Sequence, residues 1–365
     1  MGARLKVSYR VRGDASSIEA RAEAIALEQS VETPLTVIRD PKILSEIVGR
    51  VLAISDLGDG WFDVLIELAA ATVGGDAGQL VNMLFGNSSL HEDVRVHDVV
   101  LPDELLAAFK GPSLGVDGLR LRAKAEGRAL TASALKPQGL SAAELAKLAH
   151  ELALGGLDLV KDDHGLADQA YCPFADRVKA CAAAIRAAAA VTGKHTIYAP
   201  SLSGSLADME REIGIARDEG LAAVLIAPVV AGFSNFQALR RENPDFAFIA
   251  HPTLSGAAIS PAVFAKLFRL IGADASIFPN YGGRFGYSPA TCTAISRALL
   301  DPVAGLAPSL PTPAGGMTVQ RTPEMLDFFG RESMLLIGGA ILAAAHGDIA
   351  RETEAFVQAV VEHRY

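Results

Sequence analysis

Apolar and polar residues alternate with period two near the start of the chain, in Leu5-Lys6-Val7-Ser8-Tyr9-Arg10-Val11, as a strand with one buried face requires. Residues 16–29 then read as a helix, with Ala20, Ala24, Ile25 and Leu27 among its small and apolar positions. Two more strands follow at 51–54 and 62–68, joined by a Gly-containing turn, and a second helix spans 78–84, ending at Phe85-Gly86-Asn87. Strand, helix, strand, strand, helix implies a helix layer on one face of an antiparallel sheet. The expectation is a small α+β domain of ferredoxin-like type over residues 1–108.

Across residues 102–112 the pattern changes. From Leu130 onward, short apolar runs alternate eight times with amphipathic or Ala-rich segments. The expected strands are 130–135, 158–163, 195–201, 222–228, 246–252, 275–279, 309–313 and 333–338. Helices are expected at 142–154, 176–191 and 261–271, with a last one at 348–363. Ser141 ahead of Glu144, Ser260 before Pro261, Ser288 before Pro289 and Thr322 before Pro323 read as helix caps. Eight βα units in about 240 residues predict an α/β fold, a TIM barrel over 109–365. An open doubly wound sheet fits less well, because no G-x-G-x-x-G follows the first of these strands.

In such a barrel the chemistry lies where the strands end. The second strand belongs to Gly155-Gly156-Leu157-Asp158-Leu159-Val160-Lys161-Asp162-Asp163-His164, a buried run that closes on four polar residues. Each charge there must be solvated, paired or bound to a metal. Carboxylate and imidazole suit a divalent cation; a lysine amine becomes a ligand only when its charge is removed, as by carbamylation. The first strand ends in Lys136-Pro137-Gln138, the fifth in His251, and the sixth in Asn280-Tyr281-Gly282-Gly283-Arg284. The seventh ends in Gly315-Gly316 and the eighth in Gly338-Gly339, where backbone N–H groups can close on phosphate oxygens. Any one of these has an ordinary rim or turn reading. Six strand ends aimed at one face point to an active site. His150, His195 and His346 carry no motif and read as structural.

Composition narrows the classes. With 365 residues, 50% hydrophobic, the chain supports a large core. Mean hydropathy is +0.28, raised by alanine and leucine, and no run of about 18 uncharged apolar residues marks a membrane span. Arg4, Lys6, Arg10 and Arg12 lead into polar sequence, so no secretory leader is expected. Cys172, Cys181 and Cys292 have neither metal-ligand nor disulfide spacing and fit a reducing cytoplasm. A net charge of −9 argues against nucleic-acid binding, and an anionic substrate must be held by local groups.

At these residues the chain resembles the large-subunit superfamily of ribulose bisphosphate carboxylase (RuBisCO) over nearly its whole length. Residues 155–163 are similar to the family's metal-site strand, and Gly111-Pro112-Ser113-Leu114-Gly115 to the segment that leads into the barrel. The resemblance implies a Mg2+ ion on Lys161, as a CO2-derived carbamate, with Asp163 and either His164 or Asp162. It implies Lys136 as the proton-handling lysine, His251 as a proton shuttle or hydroxyl-orienting group, and Gly315, Gly316, Gly338 and Gly339 as phosphate-binding residues. It also implies a homodimer with shared sites. Segments resembling Glu28-Gln29-Ser30 and Asn82-Met83-Leu84-Phe85-Gly86 then reach a neighbour's site, with Glu28 and Asn82 as the contributing residues.

The departures narrow the activity. His164 stands where an acidic last ligand is expected, Gln138 where a second lysine is, Pro252 where an arginine follows the histidine, Phe278 where a histidine is, and Ala314 where a serine precedes the glycines. The loop at Gly282-Gly283-Arg284 has no lysine to stabilise carboxylation. The resemblance therefore implies a RuBisCO-like, non-carboxylating enzyme that enolises a singly phosphorylated ketose, foremost as a 5-methylthioribulose-1-phosphate isomerase. Alternatives are a decarboxylase, transcarboxylase or hydrolase of 3-oxo-isoapionate 4-phosphate, the 2,3-diketo-5-methylthiopentyl-1-phosphate enolase, a Schiff-base aldolase, and a catalytically dead phosphate-binding protein.

Overall fold

The computed structural model describes residues 2–344 and 348–365; His346 lies outside them. The chain divides into two compact units, Met1–Lys110 with Ser255–Ile271, and Gly111–Leu254 with Gly272–Tyr365.

The first unit contains β1 (Arg4–Arg12), α1 (Ile18–Glu28), β2 (Arg50–Gly58), β3 (Trp61–Ala69), α2 (Ala77–Phe85), β4 (Val94–Val100) and α3 (Asp103–Leu106). The antiparallel sheet runs β2-β3-β1-β4, the ferredoxin-like order for a βαββαβ chain. Alternation decides its faces: Leu5, Val7, Tyr9 and Val11 are buried, as are Phe62, Val64, Ile66 and Leu68 on β3. β4 is absent from the sequence-based expectation, and a bulge explains why. Ser8 pairs with Asp98 and Tyr9 with Val96, leaving His97 extra, so buried Val96 and Val99 stand three residues apart instead of two.

The second unit contains α4 (Gly115–Ala123), β5 (Leu130–Leu135), α5 (Ala142–Leu154), β6 (Leu159–Asp162), α6 (Phe174–Thr192), β7 (Ile197–Ala199), α7 (Leu206–Asp218), β8 (Ala223–Ile226), α8 (Pro228–Ala231), α9 (Phe233–Glu242) and β9 (Ala247–Ala250). The chain then passes through α10 (Pro261–Ile271), which belongs to the first unit and ties to β4 through Lys266 Nζ on Asp98 at 2.5 Å. It continues with β10 (Ala275–Pro279), α11 (Pro289–Leu300), β11 (Leu310–Ala314), α12 (Thr322–Phe329), β12 (Met334–Leu336), α13 (Gly339–Leu342) and α14 (Ile349–Glu362).

The eight parallel strands run β7-β6-β5-β12-β11-β10-β9-β8. A bridge between Ser201 and Leu225, with Leu202 N donating to Leu225 O at 2.9 Å, joins the two ends of that order. The TIM barrel expected from the strand count is therefore present. Side chains of one parity, including Ala132, Leu159, Ala199, Leu225, Ile249 and Ile277, fill its interior. The other parity, including Val160, Tyr198 and Leu335, packs with residues of α5, α6 and α14. Ser141 and Glu144 form a reciprocal capping box, and Ser288 accepts from Thr291 N. Thr322 is not a cap: it is the first residue of α12, and the hydroxyl that caps this region is Thr318, accepting from Arg321 N. Among the described residues no helix is long and apolar enough to cross a membrane.

At the N-terminal mouth, fully buried Asp274 organises three elements. Oδ1 accepts from Leu114 N (2.7 Å) and Gly115 N (3.0 Å), where α4 begins. Oδ2 accepts from Phe248 N (2.9 Å) and pairs with Arg240 of α9 at 3.5 Å. Removing one partner of a buried ion pair strands the other charge. Asp274→Ala is expected to lower the unfolding free energy in urea by about 3–5 kcal/mol; a loss below about 1 kcal/mol would show that the network is dispensable.

Candidate active site

Strand alternation builds the other mouth. Ala132 and Ala134 share one parity on β5, and Lys136 continues it just past the strand. Leu159 is interior on β6, so Lys161 and Asp163 follow it; Ile249 is interior on β9, and His251 follows. One end of the barrel therefore receives two lysines, a carboxylate and an imidazole. The distances agree. Lys136 Nζ lies 3.4 Å from Asp163 Oδ1, and His164 Nδ1 lies 3.6 Å from the same oxygen. The rings of His164 and His251 stack with centroids 4.2 Å apart and planes 9° from parallel. A Cβ placed on Gly338 would sit 3.6 Å from Lys136 Cε, so the end of β12 adjoins the same lysine.

Burial sets the charge states. Lys161 is 3% exposed, and its Nζ donates to Asp162 O at 2.9 Å. Desolvation dominates its titration and outweighs the Asp163 charge, bringing the ammonium down to about 8. Burial alone would push Asp163 up. The hydrogen bond from His164 and the charges of Lys136 and Lys161 prevail and hold it well below the usual carboxylate range. Desolvation, with Lys161 and His164 beside it, drives His251 down to about 2. At neutral pH the mouth therefore holds an ionised Asp163, a neutral His251, and a Lys161 that is partly neutral.

Asp162, read from the sequence as the alternative to His164 as a ligand, faces the other way. It has the opposite parity and is fully buried. Oδ2 accepts from Arg177 Nε (2.9 Å) and Ser201 N (3.1 Å), and Oδ1 accepts from Tyr198 Oη (2.8 Å). Arg177 also donates to Ala167 O and Cys172 O. This carboxylate anchors β6 to α6 and β7 and is not a donor at the mouth.

Among the described residues no three His, Cys, Asp or Glu side chains stand together as a metal site. The donors present are Asp163 and His164, with the Lys161 amine nearby. A carbamate on Lys161 would add the missing oxygen donor, and the set would then fit an oxygen-preferring divalent ion. The fit depends on a neutral amine, which the buried position favours.

Gly315 and Gly316 have φ of +82° and +67°. A Cβ on Gly316 would stand 2.6 Å from Gly283 Cα, so the loops after β10 and β11 pack backbone to backbone. Gly338 and Gly339 end the β12 segment, and Gly339 opens α13. Glu28 and Asn82 lie in the first unit. Asn87 Nδ2 donates to Glu28 Oε1 at 2.7 Å, and exposed Asn82 donates to Gln79 Oε1 at 3.3 Å. His150 meets the carbonyl of Ala184 at 3.0 Å, a structural contact as expected. Thr253 is absent from the residues singled out by sequence: its Oγ1 lies 2.6 Å from His251 Nδ1 and holds the ring. Only its place two residues past a strand-end histidine hints at this.

A (β/α)8 barrel with titratable groups at its C-terminal mouth is the enzyme-bearing class of α/β barrels. Residues 115–283 match the ribulose bisphosphate carboxylase large chain, catalytic domain. A Rhodospirillum rubrum protein named 5-methylthioribulose-1-phosphate isomerase is 54% identical over 360 residues, 98% of this chain and 96% of that protein. A Geobacillus kaustophilus protein named 2,3-diketo-5-methylthiopentyl-1-phosphate enolase is 33% identical over 381 residues, 96% and 91% of the two chains. The crystal structure of a Rubisco-like protein from Rhodopseudomonas palustris superposes with a TM-score of 0.93 at 49% identity, covering all of both chains. The chain belongs to the RuBisCO large-chain family, on its RuBisCO-like branch.

The neutral fraction of Lys161 has a direct readout. At fixed dissolved CO2, a carbamate resonance from 13CO2 is expected in the native protein, rising as pH is raised through about 8 and absent from Lys161→Met. Equal spectra for the two proteins would remove Lys161 from the donor set.

Proposed function

We propose that the chain is a RuBisCO-like isomerase that enolises 5-methylthioribulose 1-phosphate and releases a methylthioxylulose phosphate, without fixing CO2. The observation that carries this reading is the convergence of Lys136, Lys161, Asp163 and His251 on one mouth, with Lys136 Nζ 3.4 Å from Asp163. The relative at 54% identity bears the isomerase name, and the enolase-named relative is more distant at 33%.

A Mg2+ ion held by carbamylated Lys161, Asp163 and His164 would supply Lewis-acid polarisation of the ketone oxygen. The chain's own groups handle the protons. Lys136 Nζ takes the proton from C3 of the 2-ketose, and the C–H electron pair becomes the C2–C3 double bond of an enediolate. Return of a proton to C2 leaves the carbonyl at C3. A second transfer, from C4 to C3, moves it to C4, which is C2 of the methylthioxylulose phosphate numbered from its methylthio end, with no net oxidation. Neutral His251, held through Nδ1 by Thr253, uses Nε2 to relay the proton or orient a hydroxyl. Backbone amides at Gly315, Gly316, Gly338 and Gly339 hold the single phosphate. Pro252 in place of an arginine leaves the far end of the substrate without an anion anchor, which suits a methylthio group. The loop after β10 carries Gly282-Gly283-Arg284 and lacks the lysine that would stabilise a carboxylation transition state. By resemblance the working form is a homodimer, with Glu28 and Asn82 completing the neighbour's site.

Proton NMR in D2O with Mg2+, bicarbonate and 5-methylthioribulose 1-phosphate tests the reading. The expected result is exchange of a carbon-bound proton and appearance of the isomer, with the rate falling at least about 100-fold in Lys161→Ala and Lys136→Ala. Exchange without isomer would keep enolisation and transfer the substrate to a branched-sugar phosphate. No exchange with any phosphorylated ketose, in folded and metal-loaded protein, would leave a binding protein.

A further inference from the structure

Arg321 is a cation that no step above uses. It lies in the turn between β11 and α12. Nη1 donates to Gly316 O at 3.0 Å. Nε and Nη2 donate to the two oxygens of Glu324 at 2.9 and 2.8 Å. Tyr281 Oη, from the loop after β10, donates to the same carboxylate at 3.0 Å, and the guanidinium carbon lies 5.6 Å from the centre of the Tyr281 ring. A Cβ on Gly282 would meet Arg321 Nη1 at 3.4 Å, so that loop rests on the guanidinium. One planar group therefore ties together the two glycine loops whose backbones already touch at Gly283 and Gly316. A guanidinium suits this task because its fixed fork serves a carboxylate, a carbonyl and an aromatic face at once.

We propose that Arg321 is a positioning residue for the phosphate end of the substrate, presetting the Gly315–Gly316 loop through Gly316 O. The inference rests on reading that glycine pair as the phosphate site. A trans peptide unit carries its C=O and N–H on opposite sides. Fixing Gly316 O therefore fixes the Gly316–Met317 peptide plane, which restricts rotation of Gly316 and keeps that carbonyl from turning toward an incoming anion. Amides already in place bind an oxyanion without first being ordered. Glu324 neutralises the guanidinium, so Arg321 acts through geometry and not as a charge offered to phosphate.

That distinction gives the test its sign. Affinity for inorganic phosphate is measured by titration calorimetry on folded, full-length protein, together with kcat and KM for the ketose phosphate. Arg321→Ala is expected to weaken phosphate and raise KM by about ten- to a hundredfold, with kcat within about twofold. Glu324→Ala, which releases the guanidinium from its clamp, is expected to weaken phosphate as well. If Glu324→Ala tightens phosphate, the freed cation is a direct ligand and the positioning role is wrong. If wild type and both variants bind phosphate equally, Arg321 has no role while the phosphate reading stands. If wild type binds no phosphate, the phosphate reading fails and the positioning role fails with it. Should Arg321→Ala not fold, the sign of the Glu324→Ala change decides.

Discussion

The buried pair between Asp162 and Arg177 is the constraint from which the mouth of the barrel follows. Both side chains are fully buried, and Asp162 also accepts from Tyr198 Oη and Ser201 N. A strand has only two faces, so a slip of one residue would exchange them. With Asp162 committed to Arg177, Lys161 and Asp163 have no face left but the interior. Two charges that a globular core would normally exclude are thereby held at one end of the barrel. The pair is costly to break, since either partner alone would be an unpaired buried charge.

The chemistry follows from that confinement. Desolvation opposes the charged form of Lys161 and of His251, while the nearby cations favour the ionised form of Asp163. One mouth therefore offers an anion, a neutral imidazole and an amine that can shed its proton. The proposed enolisation draws on these groups separately: Asp163 as the anion, His251 as the neutral imidazole and Lys161 as the amine open to carbamylation, with Lys136 beside Asp163 as the base. The His164 and His251 rings stack within the site, and the Gly338 end of β12 adjoins Lys136.

Much of the fold is legible in the sequence because periodicity reports burial. The strand at 130–135 and the helices at 142–154 and 261–271 coincide with β5, α5 and α10. The seven-residue strands expected at 195–201, 222–228 and 246–252 shrink to three or four residues in β7, β8 and β9, because their outer residues already belong to the loops. β4 escapes because its bulge breaks the two-residue period. Lys136, Lys161, Asp163 and His251 are readable as strand-end residues. The role of Asp162 is not, since three consecutive polar residues carry no sign of which one turns outward until the strand's parity is known. Thr253 has only its place two residues past His251 as a hint, and Arg321 and Tyr281 meet through the approach of the loops after β11 and β10, which no local spacing reveals.

The most direct measurement is a crystal structure grown with Mg2+, bicarbonate and the ketose phosphate. The expected result is added density on Lys161 Nζ, with the ketone end of the sugar at Asp163 and Lys136 and its phosphate at Gly315 and Gly316. An unmodified Lys161 with the sugar bound away from these residues would contradict the assignment of this mouth as the active site.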